Sequence, residues 1–389
     1  MSKDVKKPAR TEKPRAKANV PLVESRFDAM LGRRVRAARD EAGISQDRLS
    51  EELGLESRQV LSNIEAGKRK LGVEELLKLM RVLGKDLDYF TDPLQLVGEE
   101  ISWRADVKAQ NVISEYAPRA GGVVAAYRAF ATQLGEPIAP PHLQLALTKK
   151  SSFEDAANAA EKLAVDWELG ETPARILPKA IEQRLGVPVL FVDAPPAISG
   201  AASRMPELSV ILINRDEPEF RRNYDLAHEV FHVLTWREMP PNELDAVNEK
   251  KSRVEQLADV FAGELLMPWP VLEPLWAARG RREFHDWTNA TAIRLGVSGE
   301  AIYYRLKNLG WGDPEEMRQI DFERLKWRGR KPSEEEKPKL YSAKFVEMLH
   351  RMLAGGWISV RRAAGLLNCT IEDLEELFRS HGKESPFAL

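Results

Sequence analysis

The stretch Tyr224–Leu234, YDLAHEVFHVL, constrains this chain more than any other. Apolar side chains recur through it at helical spacing, so it reads as a helix made for a protein interior. Yet it carries His228 and His232, four residues apart and therefore on one face. Two imidazoles on one face of a buried helix either find hydrogen-bond partners in the core or converge on a metal ion. Glu229 completes the pattern H-E-x-x-H, in which the histidines hold zinc and the glutamate takes a proton from water.

A catalytic zinc needs a third protein ligand and an open position. The chain has one cysteine, Cys369, which excludes thiolate clusters and intrachain disulfides. His142, His285, His350 and His381 have no ligand spacing. Downstream, SRVEQLADVFAGELLMP reads as a helix with Glu255 and Asp259 one turn apart, beside an apolar face of Val254, Leu257, Ala258, Phe261, Leu265 and Leu266. Carboxylates next to such a face are unusual unless paired or bound. Glu255 is the candidate third ligand. Asp259 is the candidate acceptor for the non-ligating nitrogen of one histidine, which would fix its tautomer. Glu264 competes with Glu255, and two solvated acids on an amphipathic helix are the plainer alternative. Met267 and Pro268 read as the end of this helix.

RRNYDLAHEVFHVL followed by VEQLADVFAGELLMP resembles the ImmA/IrrE family of zinc metallo-endopeptidases, which follows the gluzincin plan. The matching residues are Ala227 to His232, then Glu255, Ala258, Asp259, Phe261, Ala262, Leu266, Met267 and Pro268. The resemblance covers residues 150–310 and implies a zincin-like domain with a small sheet. It implies Zn2+ on His228, His232 and Glu255, Glu229 as general base, Asp259 behind a ligand, and a protein substrate. Asn223 departs from the basic residue that the family has beside the aromatic, and Arg222 stands in as its substitute. No residue is marked as the oxyanion's partner; Tyr224 and His285 are the candidates. LSVILIN, shortly before the active helix, is expected to be a sheet edge on which an extended peptide lies, with an interior strand as the alternative.

A different pattern fills residues 27–93. FDAMLGRRVRAARDEAG, SQDRLSEELG, ESRQVLSNIEAG and VEELLKLMRVLG are short amphipathic blocks, each closed by a glycine: Gly43, Gly54, Gly67 and Gly84. SQDRLSEELG reads as a bracing helix capped by Ser45, and SRQVLSNIEAG as the helix that enters a major groove. On the latter Ser57, Arg58, Gln59, Ser62 and Asn63 are polar, and arginine, glutamine and asparagine are the side chains that read base edges. Gln46, Lys68 and Arg69 suit phosphates, and Arg33, Arg34 and Arg36 add positive field. ISQDRLSEELGLESRQVLSNIEAGKRK resembles the phage-repressor (XRE, Cro-type) helix-turn-helix domain, through Gln46, Leu49, Gly54 and Ile64 to Arg69. That resemblance implies a lambda-repressor-like helical domain and a double-stranded DNA operator. One extra residue before the reading helix leaves the base-facing set fixed to within one position. A helical domain that binds only protein is the competing reading.

Charge fits this division. Residues 1–90 hold 20 Lys and Arg against 15 Asp and Glu, out of 58 and 60 in the chain, so a basic head precedes an acidic body. The expected fold class is α+β, mostly α, in six segments: a disordered basic tail (1–26), the DNA-binding domain (27–93), a helical connector (94–150), the zinc-peptidase domain (151–312), a charged linker (313–340) and a C-terminal helical module (341–389). No stretch is apolar enough to span a bilayer, so no membrane partner and a cytoplasmic location are expected. The function expected is a transcriptional regulator that cleaves a partner repressor or antitoxin. The alternative is a transcription factor whose zinc domain is a non-catalytic sensor or holds a partner. The C-terminal helices would be an interaction or dimerisation module, with a homodimer left open.

Overall fold

The computed structural model describes residues 21–97, 100–105, 109–240, 252–326 and 337–387. The chain divides at Asp92 into two compact units.

The first unit is helical: α1 (Pro21–Glu41), α2 (Gln46–Leu53), α3 (Arg58–Glu65), α4 (Val73–Leu83) and α5 (Leu87–Thr91). Its α1 begins inside the segment read as a tail, at a proline whose fixed φ suits a first helical turn. Residues 1–20, the rest of that tail, lie outside the described residues. Ser45 caps α2 by accepting from the Arg48 amide at 3.2 Å, and Gly54 ends it at φ 70°, where a side chain would be strained. Leu31, Val35, Leu49, Leu53, Leu61, Leu79 and Phe90 form the core. Gly32 lets α1 sit directly on α3, since a Cβ there would lie 2.2 Å from the Ile64 carbonyl oxygen.

The second unit is built on a four-stranded sheet with helices on both faces. In chain order its elements are β1 (Glu100–Ala105), α6 (Gln110–Leu134), α7 (Phe153–Asp166), α8 (Pro173–Leu185), β2 (Val189–Val192), β3 (Ile198–Arg204), β4 (Ser209–Asn214), α9 (Glu219–Thr235), α10 (Arg253–Leu266), α11 (Trp269–Ala277), α12 (Phe284–Leu295) and α13 (Gly299–Asn308). Two short helices follow, α14 (Pro314–Arg318) and α15 (Phe322–Lys326), then α16 (Ala343–Ala354), α17 (Val360–Leu367) and α18 (Ile371–Ser380). Residues 327–336 of the expected linker lie outside the described residues.

The strand order is β1-β3-β4-β2. The β1/β3 and β3/β4 pairs are antiparallel and β2/β4 is parallel. This corrects one expectation: β4, the LSVILIN strand, is interior, and the sheet edges are β1 and β2. All six β4 residues are buried, because helices cover both faces of the sheet. APPAISGAASRMPE is rich in turn-forming residues, yet Ile198–Arg204 within it is strand β3. Its small residues hid it and have a packing reason: at Gly200 a Cβ would lie 2.9 Å from the Leu212 carbonyl oxygen and 3.9 Å from Glu229 Cγ.

On one face, Ala202, Ile211 and Ile213 pack with α7–α10, α12 and α13. On the other, Ala201, Val210 and Leu212 pack with α6 and with α16–α18. The connector helix and the C-terminal helices therefore share one core with the sheet. Phe345, Leu349, Leu374 and Phe378 are buried in it, so the apolar faces read as an interaction module are occupied within the chain. Among the described residues no helix is long and apolar enough to cross a membrane.

Candidate metal centre and nucleic-acid face

α9 lies on the sheet and against α10, so nearly every residue from Asp225 to Thr235 is buried, the two histidines included. Ser252 caps α10, its hydroxyl accepting from the Glu255 amide at 3.3 Å, which puts Glu255 in the first turn. The two helices bring His228, His232 and Glu255 together. His228 Nε2 is 3.0 Å from Glu255 Oε2, His232 Nε2 is 3.2 Å from Glu255 Oε1, and the two Nε2 atoms are 3.1 Å apart. Two ligands ~2.0–2.1 Å from a tetrahedral ion stand about 3.3 Å apart, so the three donors are spaced as edges of a zinc tetrahedron. Among the described residues this is the one grouping of three His, Cys, Asp or Glu side chains able to hold an ion. The residues fit the metal: two imidazole nitrogens and one carboxylate.

Asp259 Oδ1 sits 3.1 Å from His228 Nδ1, the nitrogen facing away from the cluster. Accepting that proton leaves Nε2 free to ligate. The burial of Glu255 opposes its charge, but its contacts with both imidazoles outweigh that and hold its carboxyl well below the usual range. Glu229, 1% exposed, is pushed up to about 7 by burial, with the His232 and Arg104 charges pulling the other way. Its Oε2 has no hydrogen-bond partner among the described residues, as befits a carboxylate that must receive a proton.

The competitors are placed elsewhere. Glu264 is ion-paired with Arg305 and is not in the cluster. His285 lies between Glu283 (Nδ1 at 2.6 Å) and the Asp321 amide, which donates to its Nε2 at 3.0 Å. The Tyr224 hydroxyl donates to the Asp259 carbonyl at 2.9 Å, so it braces α9 on α10. Arg222 donates to the Arg215 and Glu217 carbonyls and Asn223 to that of Gly296, which ties the start of α9 to its surroundings. Met267 ends α10, and Pro268 precedes α11.

Arg104 was missed from sequence. It projects from β1, forms a short ion pair with Asp225, and stands 3.9 Å from Asp259 Oδ1. Burial works against its charge, but Asp225, Asp259 and Glu229 together hold it ionised. A lone arginine in a mixed strand carries no signal; only the pairing of β1 with β3 brings it here.

In the first unit, Ser57 stands at the N-cap of α3, and Ser57, Arg58 and Gln59 are exposed. Ser62 and Asn63 are half-buried, and Gln59 Nε2 donates to Asn63 Oδ1 at 3.3 Å. Lys68 and Arg69 are exposed just beyond the helix, with Arg69 paired to Glu75 at 2.8 Å. Gln46 is already engaged: it donates to Glu65 at 2.7 Å and accepts from Arg58 at 3.0 Å. Buried Glu65 also takes Arg39 at 2.6 Å, so Gln46 and Arg58 belong to a network that fixes α2 on α3.

Two family models match. Residues 35–90 match the helix-turn-helix model, and residues 182–307 match the IrrE N-terminal-like domain, a peptidase family. The chain joins a helix-turn-helix domain to an IrrE N-terminal-like peptidase domain. The second match takes in α9 and α10 with all three ligand candidates, and it leaves out β1 and α7, which pack against the same domain. No curated protein matches the chain. Among solved structures, the apo form of the competence regulator ComR from Streptococcus vestibularis aligns over 92% of this chain and 99% of its own. Identity is 11% and the TM-score 0.16, too low for shared geometry to bear on function. The α+β, mostly helical class stands, with a metallopeptidase-type domain behind a helix-turn-helix domain.

Proposed function

We propose that this chain is a DNA-binding regulator that hydrolyses a partner protein, a repressor or an antitoxin, at a zinc site made by His228, His232 and Glu255. The observation that carries this reading is the convergence of those three donors beside a buried, proton-ready Glu229. Zinc, when bound there, supplies a Lewis acid for a peptide carbonyl and a water acidic enough to deprotonate near neutral pH. Glu229 takes the proton of the attacking water and returns it to the leaving amine. Asp259 keeps His228 in the ligating tautomer, and Arg104 steadies Asp259 from behind. A substrate strand would extend the sheet at the outer edge of β1, taking the role first given to β4. The N-terminal part of α3 and its cap, with exposed Ser57, Arg58 and Gln59 and half-buried Ser62 and Asn63, would meet an operator's major groove, with Gln46, Lys68 and Arg69 toward phosphates. The alternative, a zinc domain that only senses metal, needs the ligands but no base, and Glu229 weighs against it. The test is zinc-dependent cleavage of the DNA-binding proteins encoded beside this chain. A discrete cut that chelation abolishes supports the proposal; intact partners under zinc loading favour the sensor.

A further inference from the structure

A groove of about 1220 Å3 lies between α7, α9, α10 and α13. Tyr224 and Asp259 mark the end nearest the histidines, and neither Glu229 nor any ligand candidate lines it. Its volume exceeds the roughly 300–1,000 Å3 of ordinary small-molecule pockets, so a peptide segment suits it better than a metabolite.

The charge is lopsided. Glu154, Glu161, Asp225, Asp259, Glu264 and Glu300 line it against three arginines. Each arginine is engaged: Arg104 with Asp225, Arg305 with Glu264, and Arg221 with Glu217 and Ser199. Glu154 and Glu300 make no ion pair among the described residues, and Glu161 makes none within contact distance, although its charge is felt by Arg305 and Glu264.

A second observation points to a ligand. Asp225 is 2% exposed and gives Oδ1 to Arg104, while its buried Oδ2 has no hydrogen-bond partner among the described residues. A buried carboxylate oxygen without a donor is a standing cost that an N–H group arriving through the groove would remove. Trp269 and Tyr304 leave large apolar surfaces exposed on its walls, on which aliphatic stems and guanidinium planes pack, while the ring of Phe153 already carries Arg253 at 3.9 Å from its centroid.

We infer that this groove binds a peptide segment through its basic side chains and sets the substrate preference of the neighbouring site: one arginine or lysine points at Asp225 and others lie along Glu161 and Glu300. A DNA-binding partner carries this chemistry, because its own surface must present lysine and arginine to phosphate. The link to substrate choice rests on the proposed peptidase function; the cation preference does not.

The test uses the full chain, zinc-loaded and chelated in parallel, and a fluorescein-labelled peptide with two central arginines, read by anisotropy. Matched peptides carry glutamine or glutamate instead. The arginine peptide is expected to bind about tenfold more tightly than the glutamine peptide, and the glutamate peptide more weakly still. The double variant E161Q/E300Q, which substitutes neither a ligand nor a member of a buried pair, should weaken the arginine peptide about fivefold with an unchanged circular dichroism spectrum. Equal binding of the three peptides, or an unchanged Kd in the variant, overturns the proposal. Spermidine binding more tightly than the arginine peptide also overturns it, by assigning the groove to a free amine. Arginine-selective binding in chelated protein that never cuts a partner would retire the peptidase and keep the basic-peptide site.

Discussion

Asp259→Ala isolates the part of the proposed metal centre that would not touch the metal. Asp259 Oδ1 stands 3.1 Å from His228 Nδ1, and the substitution leaves that nitrogen without its acceptor. Losing such an outer partner weakens metal binding roughly 10–100-fold, or about 1.4–2.7 kcal/mol. The same change appears in folding, because metal that binds only the native state stabilises it by mass action. With free zinc held at 100 times the parent Kd, the parent gains about 2.7 kcal/mol. A tenfold weaker site gains about 1.4 and a hundredfold weaker one about 0.4, so the variant forfeits roughly 1.3–2.3 kcal/mol. Two assays read this: competition with a zinc indicator, and urea unfolding with and without zinc. Arg104 keeps Asp225 as a partner, so zinc-free stability should change less than the zinc-dependent increment. A zinc Kd within twofold of the parent, with the increment intact, would refute the role given to Asp259.

Three other predictions concern separate parts of the chain. Glu264→Ala strands Arg305, whose side chain is 11% exposed, and should cost about 3–5 kcal/mol in urea unfolding; a loss under about 1 would show that the pair contributes little. Burial holds the thiol of Cys369 at about 11, so its thiolate fraction at pH 8 is on the order of one in a thousand. Labelling of this single cysteine should be slow there and accelerate about tenfold per pH unit toward pH 11, whereas a rate already flat above pH 9 would contradict that environment. On DNA, Lys68→Ala should weaken all sequences alike and lower the salt slope by about one, while Gln59→Ala should lower only the preference for the operator; the reverse pattern in mobility shifts would misplace the reading face.

The grouping of His228, His232 and Glu255 was legible because its information is local. His228, Glu229 and His232 sit within one helical turn, and Glu255 and Asp259 within another, each on a helix whose periodicity announces a buried face. The helix-turn-helix pattern was legible for the same reason. What failed was non-local. Arg104 meets Asp225 across 121 positions, through a strand pairing that no composition signals. β3 hid because α9 and β4 approach Gly200 too closely for the branched side chains that usually mark a strand. β4 looked like an edge because it precedes the active helix, yet burial on both faces leaves an interior strand without alternation. The C-terminal helices showed their apolar faces plainly, but that those faces meet α6 and the sheet depends on a chain reversal of more than two hundred residues.

In the proposed reaction Glu229 moves a proton at a zinc site that cuts protein. Glu229→Gln keeps the side chain's size and leaves the three ligands in place. The direct measurement loads parent and variant with zinc, counts bound metal by mass spectrometry, and follows fragments of the co-encoded DNA-binding protein over time. One zinc per chain is expected in both, with a discrete cut by the parent and a rate at least roughly 100-fold lower in the variant. A zinc-loaded Glu229→Gln chain that cuts at the parent's rate would contradict that role.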